Sequence, residues 1–127
     1  MAITKIETKL APAAIGPYSQ AMCVNGFLYT SGQIGLDPAS GQVAGDTIEA
    51  QAEQCCKNLA AILEAAGTDF TKVVKTTCFL ADMKDFAAFN GVYEKYFISK
   101  PARSCVAVRE LPKSLLCEIE AIAALGE

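Results

Sequence analysis

The chain has 127 residues, 52% hydrophobic and 20% charged, with a formal net charge of −3. That length fits one domain with a true core, the composition is not that of a disordered chain, and no stretch reaches the ~18 uncharged apolar residues that would span a bilayer. Histidine is absent and none of the six cysteines forms a C-x-x-C pair, which excludes histidine-containing zinc sites and leaves an all-thiolate site without its usual spacing.

The opening "MAITKIETKLAP" is short and extended, charged at Lys5, Glu7 and Lys9, and shows no apolar core of a secretory signal. In "APAAIGPYSQAMCV", Pro12, Gly16 and Pro17 exclude an early helix. Residues 19–24 and 26–35 then read as two strands about the Asn25-Gly26 turn, a hairpin signal. "LDPASGQ" is a further turn, punctuated by Pro38 and Gly41.

"DTIEAQAEQCCKNLAAILEAAG" predicts the longest helix. Asp46 stands at its N-cap with Glu49 three residues on, and Gly67 stands where a C-terminal stop belongs. Ile48, Cys55, Leu59, Ile62, Leu63 and Ala66 make one apolar stripe at helical spacing. "KVVKTTCFLA", residues 72–81, is β-branched and reads as a strand. Asp82 caps a second helix whose buried face is Phe86, Phe89, Tyr93 and Tyr96 or Phe97, and Pro101 ends it. Residues 103–109 and 115–124 are the last two strands. This order predicts one α+β domain over residues 1–127, with both helices on one face of a mixed sheet. The surplus of apolar surface predicts a homo-oligomer that covers the other face.

Most cysteines fall at apolar-periodic positions, where a thiol acts as a small hydrophobe, and they are expected reduced in a cytosolic compartment. Negative net charge without a basic run makes nucleic acid an unexpected partner.

The final strands carry charges that a core does not want. Side chains alternate along a strand, so Arg103, Cys105 and Ala107 share one face. Glu118 and Glu120 share another, opposite the uniformly apolar or thiol set Cys117, Ile119 and Ala121. If the two strands pair as antiparallel neighbours, Arg103 lies close to Glu118 or Glu120. Spacing leaves two explanations open: an interfacial salt bridge that fixes subunit register, or a pocket in which Arg103 grips a substrate carboxylate while a Glu orients water or moves a proton. Cys105 invites a nucleophile hypothesis if Arg103 depresses its pKa, but the chain holds no histidine to serve as its base. "TSGQIG", residues 30–35, is neither a P-loop nor a dinucleotide fingerprint; it reads as a strand end with a bulge, where Gly32 also lets a ligand approach backbone groups. Tyr18, in extended backbone, is a candidate to wall a pocket.

Five stretches together, "APAAIGPYSQA", "TSGQIGLDPASGQV", "QCCKNLAAILEAAG", "VVKTTCFLADMKDFAAFN" and "PARSCVAVRELPKSLLCEIEAIA", resemble the RidA (YjgF-like) family of reactive imine deaminases. The strongest motif is Pro-Ala-Arg-Ser at 101–104, followed by Glu118-Ile119. The resemblance implies a chorismate-mutase-like α+β fold, a homotrimer with clefts between subunits, and cofactor- and metal-independent hydrolysis of short 2-imino acids to 2-keto acids and ammonia. It also implies roles: Arg103 pairs with the substrate carboxylate, Glu118 holds or activates the attacking water, and Cys105 and Gly32 line the site largely through backbone groups. Tyr18, Ser31 and Asn90 complete its wall and support. Cys117 departs from the family, which usually has a branched aliphatic residue or Met there. The rival from another class is a non-catalytic carboxylate-binding, regulatory or chaperone-like module that uses the same cleft.

Overall fold

The structure, a computed structural model, describes residues 2–126. Its strands are β1 (Thr4–Ile6), β2 (Ala21–Val24), β3 (Phe27–Thr30), β4 (Gln33–Ile34), β5 (Val73–Leu80), β6 (Ala102–Ala107) and β7 (Cys117–Ala124); its helices are α1 (Ile48–Ala65) and α2 (Phe86–Tyr96). The sheet order is β1-β2-β3-β7-β5-β6, with β4 pairing β7 beside β3. Among the described residues only β5 and β6 run parallel. They are joined through α2, since a parallel pair needs a crossover that a tight turn cannot supply. The sheet is therefore mixed, and both helices lie on one of its faces, as the element order predicts.

The helix ends show local chemistry at work. Thr47, not Asp46, is the N-cap of α1: its side-chain oxygen accepts from the Ala50 amide at 3.1 Å. Either residue type can cap, and the helix simply starts one residue later than the acidic signal suggests. At the other end Gly67 takes φ +81°. Its amide reaches the Glu64 carbonyl at 3.0 Å while the Thr68 amide reaches that of Leu63 at 2.9 Å. That double closure needs a left-handed residue, and glycine supplies it at no steric cost. Asp82 caps a single 3-10 turn, Met83–Asp85, which runs on into α2. The helix stops at Tyr96, well before Pro101.

The core lies between the helices and the sheet. Cys55, Cys56, Leu59, Ile62 and Leu63 of α1 and Phe89 of α2 meet Leu28, Cys78, Leu80, Cys117, Ile119 and Ala123 of the sheet, all fully or almost fully buried. All six cysteines carry free thiols. Two buried amides also tie α1 to the sheet. Asn58 Nδ2 donates to the carbonyls of Ile34 and Leu36, at 3.1 and 3.0 Å, and its Oδ1 accepts from Gln54. Gln51 accepts from the Leu116 amide at 2.7 Å and donates to the Gly45 carbonyl at 2.9 Å. These bonds give buried side-chain amides their partners and satisfy backbone groups beside the sheet, although the Ile34 carbonyl also accepts from the Leu36 amide at 2.8 Å.

Three expectations need correction. The strand expected over 26–35 breaks at Ser31-Gly32 into β3 and β4, where the chain bends aside. The strands expected at 103–109 and 115–124 are Ala102–Ala107 and Cys117–Ala124, the latter after a 3-10 turn at Pro112–Ser114. Most important, β6 and β7 are not neighbours, because β5 lies between them.

Candidate active site

The inserted strand decides where the charged residues go. Thr76 of β5 stands opposite both Arg103 of β6 and Ala121 of β7, whereas Phe79 stands opposite Glu118. Paired residues point to the same side of a sheet. Arg103 and Cys105 therefore share the helix-covered face with Thr76, Cys78, Ile119 and Ala121, while Glu118 and Glu120 project from the open face with Phe79 and Thr77. Strand spacing and rise put the Cα atoms of Arg103 and Glu118 roughly 14 Å apart. Within one chain the two side chains do not converge, contrary to the close pairing expected from antiparallel neighbours.

Arg103 is half-buried beneath α2. Its Nη1 donates to Asn90 Oδ1 at 2.7 Å. Its guanidinium carbon lies 4.7 Å from the centre of the Tyr93 ring and 5.5 Å from that of Phe86. Phe86, Asn90 and Tyr93 fall at i, i+4 and i+7, so one face of α2 presents all three. Among the described residues no carboxylate pairs with Arg103, and its other N–H donors make no protein hydrogen bond. A groove of about 550 Å³ runs past it, lined also by Glu94, Ile98 and Lys100. The cation is held but not neutralised.

Cys105, two residues along the same face, does not gain nucleophilicity from Arg103. Burial pushes its thiol up, and Arg103 pulls the other way without prevailing. The thiol stays protonated near neutral pH, and Cys105 is not among the residues that line the groove beside Arg103.

A second cavity, of about 560 Å³, lies on the other side of the sheet, lined by Tyr18, Ser31, Gly32 and Glu118 together with Ile15, Gln20, Ile34 and Lys113, among others. Four of the residues read from the sequence meet here. Glu118 packs on Gly32 so closely that a Cβ on the glycine would sit 1.9 Å from Glu118 Oε2. Among the described residues the carboxylate has no hydrogen-bond or ion-pair partner. Burial, with a smaller push from Glu120, raises its pKa above the ordinary value. A carboxyl so placed is suited to proton transfer.

The wall is built by backbone capture. Ser31 donates its hydroxyl to the Ser19 carbonyl at 2.5 Å and its amide to the Gln20 carbonyl at 2.9 Å. Gln20, buried, accepts from the Thr8 amide and donates to the Pro12 carbonyl, each at 2.7 Å. These bonds hold the segment that carries Tyr18, whose side chain stays exposed at the cavity. Sequence reasoning did not single out Gln20 or Lys113, and it treated Phe86 and Tyr93 only as core. The helical spacing of the two rings around Asn90 was the available signal for them.

Residues 8–125 match the endoribonuclease L-PSP family. The chain belongs to the L-PSP family. An AldR protein of Lactococcus lactis, named as a regulator, is 56% identical over 119 residues, covering 93% of this chain and 94% of its own. The human 2-iminobutanoate/2-iminopropanoate deaminase is 52% identical over 122 residues, covering 95% and 89%. The solved structure of YyfA from Yersinia pestis, of the conserved Rid protein family, superposes with a TM-score of 0.95 at 49% identity over 98% of this chain and all of that one. The resemblance read from the sequence motifs is thus borne out at the level of family and fold. Among the described residues of this L-PSP-family chain, no helix is long and apolar enough to cross a membrane.

Proposed function

We propose that the chain is a hydrolytic deaminase of short 2-imino acids and their enamine tautomers, such as 2-aminoacrylate, 2-iminopropanoate and 2-iminobutanoate. Its site is assembled between neighbouring copies of a homotrimer, each cleft joining the Arg103 half of one copy to the Glu118 half of the next. The observation that carries this reading is that, among the described residues, the guanidinium and the carboxyl both lack an opposite charge and lie on opposite faces of one sheet. A residue pair meant only to hold the fold together would meet within the chain.

The chemistry follows from the parts. Arg103 uses its unengaged donors to hold the substrate carboxylate bidentately. That fixes the C=N carbon near the carboxyl of Glu118 on the adjoining copy. Glu118 orients a water, accepts one of its protons as the oxygen bonds to carbon, and passes that proton to the imine nitrogen, giving a carbinolamine. Glu118 then takes the hydroxyl proton and delivers it to the amino nitrogen as the C–N bond breaks, releasing ammonia and the 2-keto acid and leaving Glu118 ionised as it began. Imines already hydrolyse in water, so orientation and one placed base supply the acceleration without a metal or cofactor. The human relative named for this activity supports the assignment.

The test couples a threonine dehydratase to the protein and follows 2-ketobutyrate release. Acceleration that is lost in both Arg103→Ala and Glu118→Gln is expected. Co-refolding the two variants should then restore about a quarter of the sites, because random mixing of copies joins an intact Arg103 to an intact Glu118 that often. Tight binding of 2-ketobutyrate with no acceleration would instead favour a regulatory binder, the class to which the name of the Lactococcus relative belongs.

A further inference from the structure

We infer that Tyr93 is a positioning residue for Arg103: its ring, anchored through Thr76, sets the guanidinium at the angle from which it grips the substrate carboxylate. The inference rests on the deaminase reading for its kinetic readout only.

An arginine in a half-buried site is ordinarily oriented by an acid. An acid here would cancel the charge the substrate needs, and none of the described residues provides one. What the guanidinium meets instead is the face of Tyr93 at 4.7 Å and, further out, that of Phe86 at 5.5 Å. An aromatic face attracts a cation through its quadrupole and carries no net charge. The cation is thereby steered and partly dried while its full charge remains available to an anion.

The ring itself has no freedom. The Tyr93 hydroxyl shares a 2.6 Å hydrogen bond with Thr76 Oγ1, in the buried interior. Thr76 stands directly opposite Arg103 across the parallel β5–β6 pair. Phe97 stacks on the same ring, with centroids 4.2 Å apart and planes at 17°. One strand position thus fixes the ring, the ring fixes the cation laid beside it, and Asn90 sets the rotation of the fork through Nη1. A tyrosine needed only for packing would have no reason to place its face under the one unpaired guanidinium of this site.

The test uses the full-length oligomer and two variants, with kinetics and nitrogen-detected NMR of the Arg103 side chain. Tyr93→Leu should raise KM about tenfold and leave kcat within about twofold, because the carboxylate grip serves ground and transition states alike. Tyr93→Phe, which keeps the ring but loses its anchor, should hold KM within about threefold of wild type. A purely structural role would lower the folded fraction, reducing apparent kcat with KM unchanged; that result overturns the inference. Rotation about the Arg103 Cζ–Nε bond should be slow in wild type and faster in Tyr93→Leu. It is read without substrate, so it decides the matter even if the wild-type chain proves not to hydrolyse imines. Should Tyr93→Leu fail to fold, Tyr93→Met, which keeps most of the volume and loses the ring, replaces it. Unchanged KM and unchanged rotation there would equally sink the proposal.

Discussion

Gly32 offers the sharpest single perturbation. Its φ lies outside the left-handed region, so its backbone accepts any residue, and the effect of Gly32→Ala comes only through what the new methyl touches. That methyl would lie 1.9 Å from Glu118 Oε2, 2.7 Å from Cδ and 2.9 Å from Cγ, where ordinary contact begins at 3.4 Å. The carboxylate must retreat by about 1.5 Å, and a general base works only within about 2.6–3.2 Å of the proton it takes. General-base catalysis contributes about 10²–10⁴ in rate, or about 3–5 kcal/mol, so kcat for 2-iminobutanoate should fall by that order. Stability should change by less than about 1 kcal/mol, because the displaced group is the end of a side chain that borders a cavity. The assay is 2-ketobutyrate release beside a denaturant titration. In a Glu118→Ala background the same Gly32→Ala change should cost nothing further, since the two act through one carboxylate. An active Gly32→Ala enzyme, or additive losses in the double variant, would refute the placement of Glu118 as the base.

Other outcomes are as direct. Arg103→Ala should cost about 2–4 kcal/mol of transition-state binding, read as kcat/KM, and Arg103→Lys should recover little because an ammonium lacks the planar fork. On the reading proposed above, the substrate carboxylate offsets the charge of Arg103 in the loaded site and leaves burial and Glu120 to hold the Glu118 pKa above its ordinary value. The kcat–pH profile should therefore show an acid limb centred above the ordinary carboxyl value of 4.5, with kcat falling as pH drops through it, and Glu118→Gln should abolish that limb. Asn58→Ala strips the Leu36 carbonyl of its side-chain partner and the Ile34 carbonyl of one of its two, and should destabilise by about 1–3 kcal/mol in denaturant; a loss near zero would mean water replaces the amide. Light scattering should report three times the 13.4 kDa chain mass. A fully active monomer would contradict the composite cleft.

Much of the architecture was legible because its signals are local. The stripe from Ile48 to Ala66 marks α1, Gly67 its end, and the β-branched run at 72–81 the strand β5. What single-chain patterning could not supply was the order of strands. Alternation correctly put Glu118 opposite the core-facing Cys117 and Ile119, yet it carries no information about which strand lies beside which. The supposed closeness of Arg103 and Glu118 failed on that point alone. The break at Ser31-Gly32 was in part legible, since "TSGQIG" reads as a strand end with a bulge; the packing of Glu118 on Gly32 was not, because that carboxylate belongs to a residue far along the chain. The aromatic partners of Arg103 were concealed by looking like ordinary core.

If the site forms as proposed, a chain whose cationic and acidic halves face away from each other owns no complete apparatus. On the reading proposed here, its output is set by abundance before it is set by rate constants: dilution below the association threshold silences every copy at once, and a cell that lowers expression loses more than a proportional share of turnover.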